Sequence, residues 1–149
     1  MMLLLAAGAA VPVSGADSFQ QSLYPLIIRS SGDREIIYGI ELADTDAARR
    51  RGLMFRKSMP ADQGMLLDFR AERRVGIWMK NTYIPLDLLF INNAGKIIHL
   101  HHGAEPLSTT TITGGNRVRA VLEINAGEIE QHGISVGDRV IFPSFAADE

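Results

Sequence analysis

The side chains with the most chemical capacity crowd into one stretch, Trp78-Met79-Lys80-Asn81-Thr82-Tyr83-Ile84-Pro85-Leu86-Asp87. It holds the only tryptophan of the chain and brings together an ammonium, an amide, a hydroxyl and a carboxylate around a proline. A pocket for a small polar ligand needs an apolar wall, here Trp78, and a few orienting polar groups, here Lys80, Asn81, Thr82 and Asp87. The plainer reading of the same residues makes Trp78 core, Asn81 and Thr82 turn formers, and Lys80 and Asp87 a cross-strand ion pair. Arg51 and Arg56 flank Gly52-Leu53-Met54-Phe55 and could hold a carboxylate or phosphate by paired contacts. At the end of a helix, Arg51 also simply complements the last carbonyls. Glu123 stands in an apolar run and, if it faces inward, needs a cation such as Lys80 or Arg51. Asp87 with Glu123 would supply the two carboxyls of a hydrolase, although no spacing rule links them.

Metal chemistry has thinner support. His99 and His101 alternate onto one strand face with His102 on the other, and two imidazoles leave a tetrahedral zinc site incomplete. Met54, Met59, Met65 and Met79 would suit Cu(I) beside those imidazoles, but methionine is chiefly core filler. No metal and no cofactor is therefore assigned, with His99 and His101 as the alternative for zinc or copper. The chain has no cysteine, which excludes disulfides, thiolate ligands and a cysteine nucleophile. It shows no phosphate-cradling glycine loop, no Gly-x-Ser-x-Gly and no His-Glu-x-x-His. A net charge of −2, without a basic patch interleaved with aromatics, gives no general attraction to nucleic acid.

The elements that must position these groups are mostly short strands. Val75, Ile77 and Met79 alternate with Gly76, Trp78 and Lys80, and Leu86–Ile91 is an apolar run of strand length. If the two pair as a hairpin, Lys80 falls opposite Asp87, Trp78 falls opposite Leu89, and Trp78 is buried. Further strands are expected at Leu23–Arg29, Glu35–Leu42, Met65–Phe69, Lys96–His101, Arg117–Ile124 and Arg139–Phe142. Asn92-Asn93-Ala94-Gly95 is a hairpin turn, Arg70–Arg74 a charged turn, and residues 103–116 a long loop. Two short helices complete the set. One starts at Asp44 or Thr45 and closes at Gly52; the other covers Ala126–His132 and closes at Gly133. The predicted fold is mainly β, a single-domain antiparallel sandwich or barrel of jelly-roll type.

At 149 residues, 46% of them hydrophobic and 21% charged, the chain suits one globular domain. Met1–Val13 is apolar throughout, too short to span a bilayer, and is followed by small residues Ser14-Gly15-Ala16. Residues 1–16 therefore read as a signal peptide, although no basic residue precedes the apolar run. Residues 17–34 read as an N-terminal extension with an edge strand, and residues 35–149 as the β-rich domain. No transmembrane span is expected in the mature protein.

Arg51-Gly52-Leu53-Met54-Phe55-Arg56, Gly64-Met65-Leu66, Trp78-Met79-Lys80-Asn81-Thr82, Ile84-Pro85-Leu86-Asp87 and Ala120–Gly127 occur in a recognisable order. Together they resemble the uncharacterised family called domain of unknown function 192, small and often exported prokaryotic proteins, from about Tyr38 to Phe142. The resemblance implies a compact β fold of sandwich or jelly-roll type, and it implies no activity. The resulting expectation is an exported, periplasmic β-domain that binds a small polar ligand or an envelope protein without catalysis. The alternatives are a hydrolase of envelope material using Asp87 and Glu123, and a copper or zinc binder.

Overall fold

In the computed structural model, which describes residues 22–145, the chain runs β1 (Tyr24–Arg29), β2 (Glu35–Ala43), α1 (Asp46–Arg51), β3 (Gln63–Arg73), β4 (Gly76–Ile77) and β5 (Leu86–Ile91). It continues through β6 (Ile97–Ala104), β7 (Ile112–Thr113), β8 (Val118–Asn125), α2 (Glu128–His132) and β9 (Arg139–Ile141). Seven strands form one sheet in the order β6-β5-β8-β3-β2-β1-β9, and β4 with β7 makes a separate two-stranded ladder. The expected leader, residues 1–16, lies outside the described residues. Among those described, no helix is long and apolar enough to cross a membrane.

Both faces of the sheet are covered, which is why β5 is buried at every position. Leu89 and Ile91 point into one core with Leu26, Ile40, Leu66, Leu122 and Ile129. Leu86, Leu88 and Phe90 point into a second core with Met65, Val75, Ile77, Met79 and Ile84. The first core is closed by α2, the second by the segment from Val75 to Ile84.

The β-rich, single-domain reading with two short helices holds, but one pair of strands departs from the antiparallel expectation. β2 and β3 run parallel, Gly39 opposite Gln63 and Ala43 opposite Leu67. The intervening residues 44–62, with α1 inside them, supply the crossover that parallel neighbours require. β1 lies between β2 and β9, and β9 pairs with it only along Ile27–Arg29. Pro25 therefore sits outside that ladder, where its missing N–H costs nothing.

Candidate functional site

A concavity that gathers charged, aromatic and apolar side chains lies over the second core, a cavity of about 360 Å³ between α1, the outer end of β3, β4 and the Trp78 segment. Its position follows from two local devices. Thr45 caps α1, its side chain accepting the Ala48 N–H at 3.1 Å, and Gly52 ends the helix at φ 46. This delivers Arg49, Arg50 and Arg51 together in the last turn. β3 pairs with β8 as far as Asp68, then shifts register before Arg73, with Arg70 at φ 65. That irregularity re-aims the strand, and Arg73 and Arg74 reach the same cavity.

The arginines fall into two groups. Arg49 donates to the Asp68 carbonyl at 2.6 Å and lies 5.3 Å from the centre of the Phe69 ring, with Arg73 at 5.0 Å from that ring. These two are held by the protein itself. Arg50, Arg51 and Arg74 are exposed and have no ion pair among the described residues.

Glu123 lines the cavity from β8, opposite Met65 on β3 and Leu88 on β5, and is only 5% exposed. No described residue donates a hydrogen bond to its carboxyl. Burial pushes its pKa up to about 7, against the opposing pull of the Arg56 charge. Of two glycines near Glu123, Gly64 allows the close approach of β3 to β8, whereas Gly52 stands at ordinary contact distance from the carboxyl. A Cβ on Gly64 would stand 2.7 Å from the Glu123 carbonyl oxygen, and one on Gly52 3.8 Å from Glu123 Oε2. A larger residue at Gly64 would push β3 away from β8.

The central stretch is arranged differently from the expectation. Its alternation is present, but Val75, Ile77 and Met79 are buried while Gly76, Trp78 and Lys80 are exposed. The face of three uninterrupted apolar residues removes more surface from water than one carrying a lysine and a glycine. Trp78 is thus 48% exposed rather than core, and the Lys80 ammonium sits 5.1 Å from its ring centre. The segment does not pair with β5, because β6 and β8 occupy both edges of that strand. Only Gly76 and Ile77 are strand, paired with Thr113 and Ile112. Asn81 is a turn residue at φ 54, and Thr82 is buried, its hydroxyl donating to the Lys80 carbonyl at 3.2 Å.

Asp87 points to the opposite side of the sheet. Its Oδ1 accepts the Gly103 N–H at 2.8 Å, and its Oδ2 accepts those of Gly127 and Ile129 at 2.9 and 3.0 Å. Three backbone donors satisfy a carboxylate that is 1% exposed, so Asp87 ties β6 and the start of α2 to β5. The Lys80–Asp87 pair therefore does not form. In the β5–β8 register Leu88, not Asp87, lies opposite Glu123. Successive side chains alternate across a sheet, so Asp87 and Glu123 are on opposite faces and cannot share one substrate.

The remaining candidates separate likewise. Arg56 holds Glu41 through two contacts, 2.6 Å to Oε1 and 2.5 Å to Oε2, and borders a second concavity with Gly52 and Met54 rather than the Glu123 cavity. His99 and His101 do share a face, opposite Phe90 and Leu88, but no group of three potential His, Asp or Glu ligands gathers among the described residues. Met65 and Met79 are buried in the second core with Met59 packed against it, as core side chains.

Comparison with known proteins agrees with this architecture. The family described as DUF192, uncharacterized ACR, matches residues 26–142. The chain belongs to the DUF192 family. A crystal structure from Sinorhizobium meliloti, described as a candidate transcription regulator, is similar at 40% identity and a TM-score of 0.80, covering 81% of this chain and 94% of that one. A protein of unknown function from Novosphingobium aromaticivorans is similar at 32% identity and a TM-score of 0.78, covering 92% of this chain and 94% of that one. No curated protein matches.

In this DUF192 chain the motifs that carried the resemblance are chiefly joints. The Pro85 carbonyl accepts the Ala126 N–H at 3.1 Å beside the Asp87 contacts, which docks Ile84–Asp87 onto Ala126-Gly127. The Asn81 carbonyl accepts the Phe55 N–H at 2.8 Å, joining the Trp78 segment to the loop after α1. Of the residues singled out in sequence, Trp78, Thr82, Arg51 and Glu123 line the cavity, whereas Lys80, Asn81, Asp87 and Arg56 do not. Sequence reasoning missed Arg50, Arg73 and Arg74. The available signal was the pair of arginine runs, Arg49–Arg51 and Arg73-Arg74, each next to a segment that turns apolar side chains inward.

Proposed function

We propose that the chain is an exported, periplasmic binding module whose Glu123 cavity takes a small ligand with an anionic group and a flat apolar part, without chemistry of its own. One observation carries this reading. Three guanidiniums with no ion pair among the described residues, those of Arg50, Arg51 and Arg74, surround one cavity that also holds Trp78 and the buried carboxyl of Glu123. A guanidinium meets a carboxylate or phosphate with two parallel hydrogen bonds, and the indole offers a face for stacking. Glu123 adds a condition. Protonated, it donates a hydrogen bond and adds no charge; ionised, it sets a negative charge against the ligand. With its pKa at about 7, affinity for an anion is expected to fall as pH rises through that value.

The test is calorimetric titration with phenyl phosphate and benzoate, with phenol as the uncharged control. Both anions should bind and phenol should not. Arg51→Ala should weaken phenyl phosphate about tenfold, the effect of losing one charge-assisted contact. Phenol binding as well as the anions, or an unchanged affinity in Arg51→Ala, defeats the proposal. The description attached to the Sinorhizobium relative would instead bring these arginines to a nucleic-acid backbone. The chain's net charge of −2 and the carboxyl within the cavity favour a small ligand. A salt-sensitive shift of a DNA duplex that Arg51→Ala abolishes would reverse that preference.

Export is supported by the shift from apolar to polar composition around residues 14–18. Expressed in a bacterium, the full chain is expected in the periplasmic fraction and residues 17–149 as a folded cytoplasmic protein. Retention of the full chain inside the cell, or an unfolded truncation, contradicts this role for residues 1–16.

A further inference from the structure

A second surface beside the cavity points to a different kind of partner. Four large apolar side chains stand exposed on three loops: Phe55 at 54%, Trp78 at 48%, Tyr83 at 49% and Leu107 at 56%. Backbone hydrogen bonds stitch these loops together, from the Phe55 N–H to the Asn81 carbonyl, the Met79 N–H to the Ser108 carbonyl, and the Leu107 N–H to the Thr82 carbonyl. The Phe55 and Tyr83 rings meet edge to face with centroids 6.3 Å apart. Phe55 and Leu107 both adopt φ 67, a left-handed backbone that bulky residues rarely enter. Backbone strain of this sort persists only where the surroundings over-determine it, and it gathers at functional surfaces. Here it holds two apolar side chains out in water, where they contribute nothing to the core.

The charges around this patch select the occupant. Lys80 lies over the Trp78 ring, and exposed Lys57 follows two residues after Phe55; the exposed acids on these loops are Glu105 and Asp62, the latter near enough to Glu128 to act on its charge. A second copy of the chain on a two-fold axis would bring the same lysines towards one another, a repulsion that disfavours that arrangement. An anionic bilayer complements the patch in both respects. Indole and phenol rings settle at headgroup level, Phe and Leu enter the acyl boundary, and lysine ammoniums meet the lipid phosphates. We propose that the loops carrying Phe55, Trp78, Tyr83 and Leu107 are a peripheral docking surface for an anionic lipid bilayer. Trp78 also lines the Glu123 cavity, but Phe55, Tyr83 and Leu107 do not, so the Phe55 and Leu107 variants test this surface apart from the ligand reading.

Trp78 is the chain's only tryptophan, so its fluorescence reports directly on the patch. The protein is mixed with vesicles of phosphatidylcholine alone or in equal parts with phosphatidylglycerol. It should sediment with the mixed vesicles, its emission should shift to the blue, and brominated acyl chains should quench it. The double variant Lys57→Glu/Lys80→Glu should bind roughly tenfold more weakly or worse, since each lysine near an anionic surface contributes several-fold. Phe55→Ser/Leu107→Ser should bind more weakly to the mixed vesicles at unchanged lysine content. No sedimentation with the mixed vesicles overturns the proposal. So does binding without any change in Trp78 emission, or concentration-dependent self-association that the Phe55→Ser/Leu107→Ser variant abolishes.

Discussion

Asp87→Ala is expected to destabilise the protein by about 3–5 kcal/mol, the combined cost of leaving several backbone N–H groups without their acceptor and of the void left behind. The reason is local and countable. The carboxylate is 1% exposed and takes three backbone N–H groups, from Gly103 on β6 and from Gly127 and Ile129 at the start of α2. Alanine leaves the buried Ile129 N–H with no acceptor and opens a small void between β5 and α2. Urea denaturation should show the loss as a lower midpoint at unchanged slope, and heating should lower Tm by roughly 10 °C. Asp87→Asn should recover part of the loss, because its one carbonyl oxygen can accept while its amide faces donors. A cost below about 1 kcal/mol for Asp87→Ala would show that water replaces the carboxylate, and the joint between β5 and α2 would need another explanation.

The second large effect is a dependence of stability on pH through Glu123. Its pKa rises from 4.5 to about 7 on folding, mainly because the carboxyl is desolvated. Between those values the unfolded chain has released the proton and the folded protein still holds it. The neutral carboxyl costs nothing extra below about pH 4.5, stability falls as pH rises to about 7, and the loss is then complete. A difference of this size corresponds to about 3 kcal/mol, with no discount for solvent because the group is buried. Glu123→Gln should remove that part of the slope, so the variant gains on the parent as pH rises from about 5 to about 8. Glu128 works in the same direction, raised chiefly by burial despite the Tyr38 hydroxyl that donates to it at 2.9 Å, which is why the difference between parent and variant is the informative quantity. Parallel stability profiles for the two proteins would show that Glu123 ionises freely when folded, and the pH condition on ligand binding would go with it.

The local reading of the sequence held at several places where short-range physics governs the outcome, although Arg70–Arg74, read as a turn, is strand as far as Arg73. Leu86–Ile91, the Asn92–Gly95 turn, and the helices closed by Gly52 and Gly133 needed only hydrophobic runs, turn chemistry and caps. The alternation from Val75 to Lys80 was equally visible. What it could not state was which set turns inward, because period two is symmetric and only the surface on offer breaks the tie. The core presented by Leu86, Leu88 and Phe90 takes Ile77 and Met79, and Trp78 goes to the outside with Lys80.

The candidate site divides along the same line. Residue types alone marked Trp78, Arg51 and Glu123 as capable of chemistry, and all three line one cavity. Lys80 and Asp87, seven residues apart, looked like partners because a hairpin is the simplest way to bring them together. Tertiary structure decided otherwise, since β6 and β8 occupy both edges of β5, and the register with β8 leaves Asp87 on the face away from Glu123. Arg74 and Glu123, forty-nine residues apart in sequence, meet through the β3 bulge and the β3–β8 pairing. The sequence by itself determined the β-rich domain, its helix ends and the residues able to act. Which of them lie together was decided by sheet order and register, because those depend on long-range pairing that no local pattern encodes.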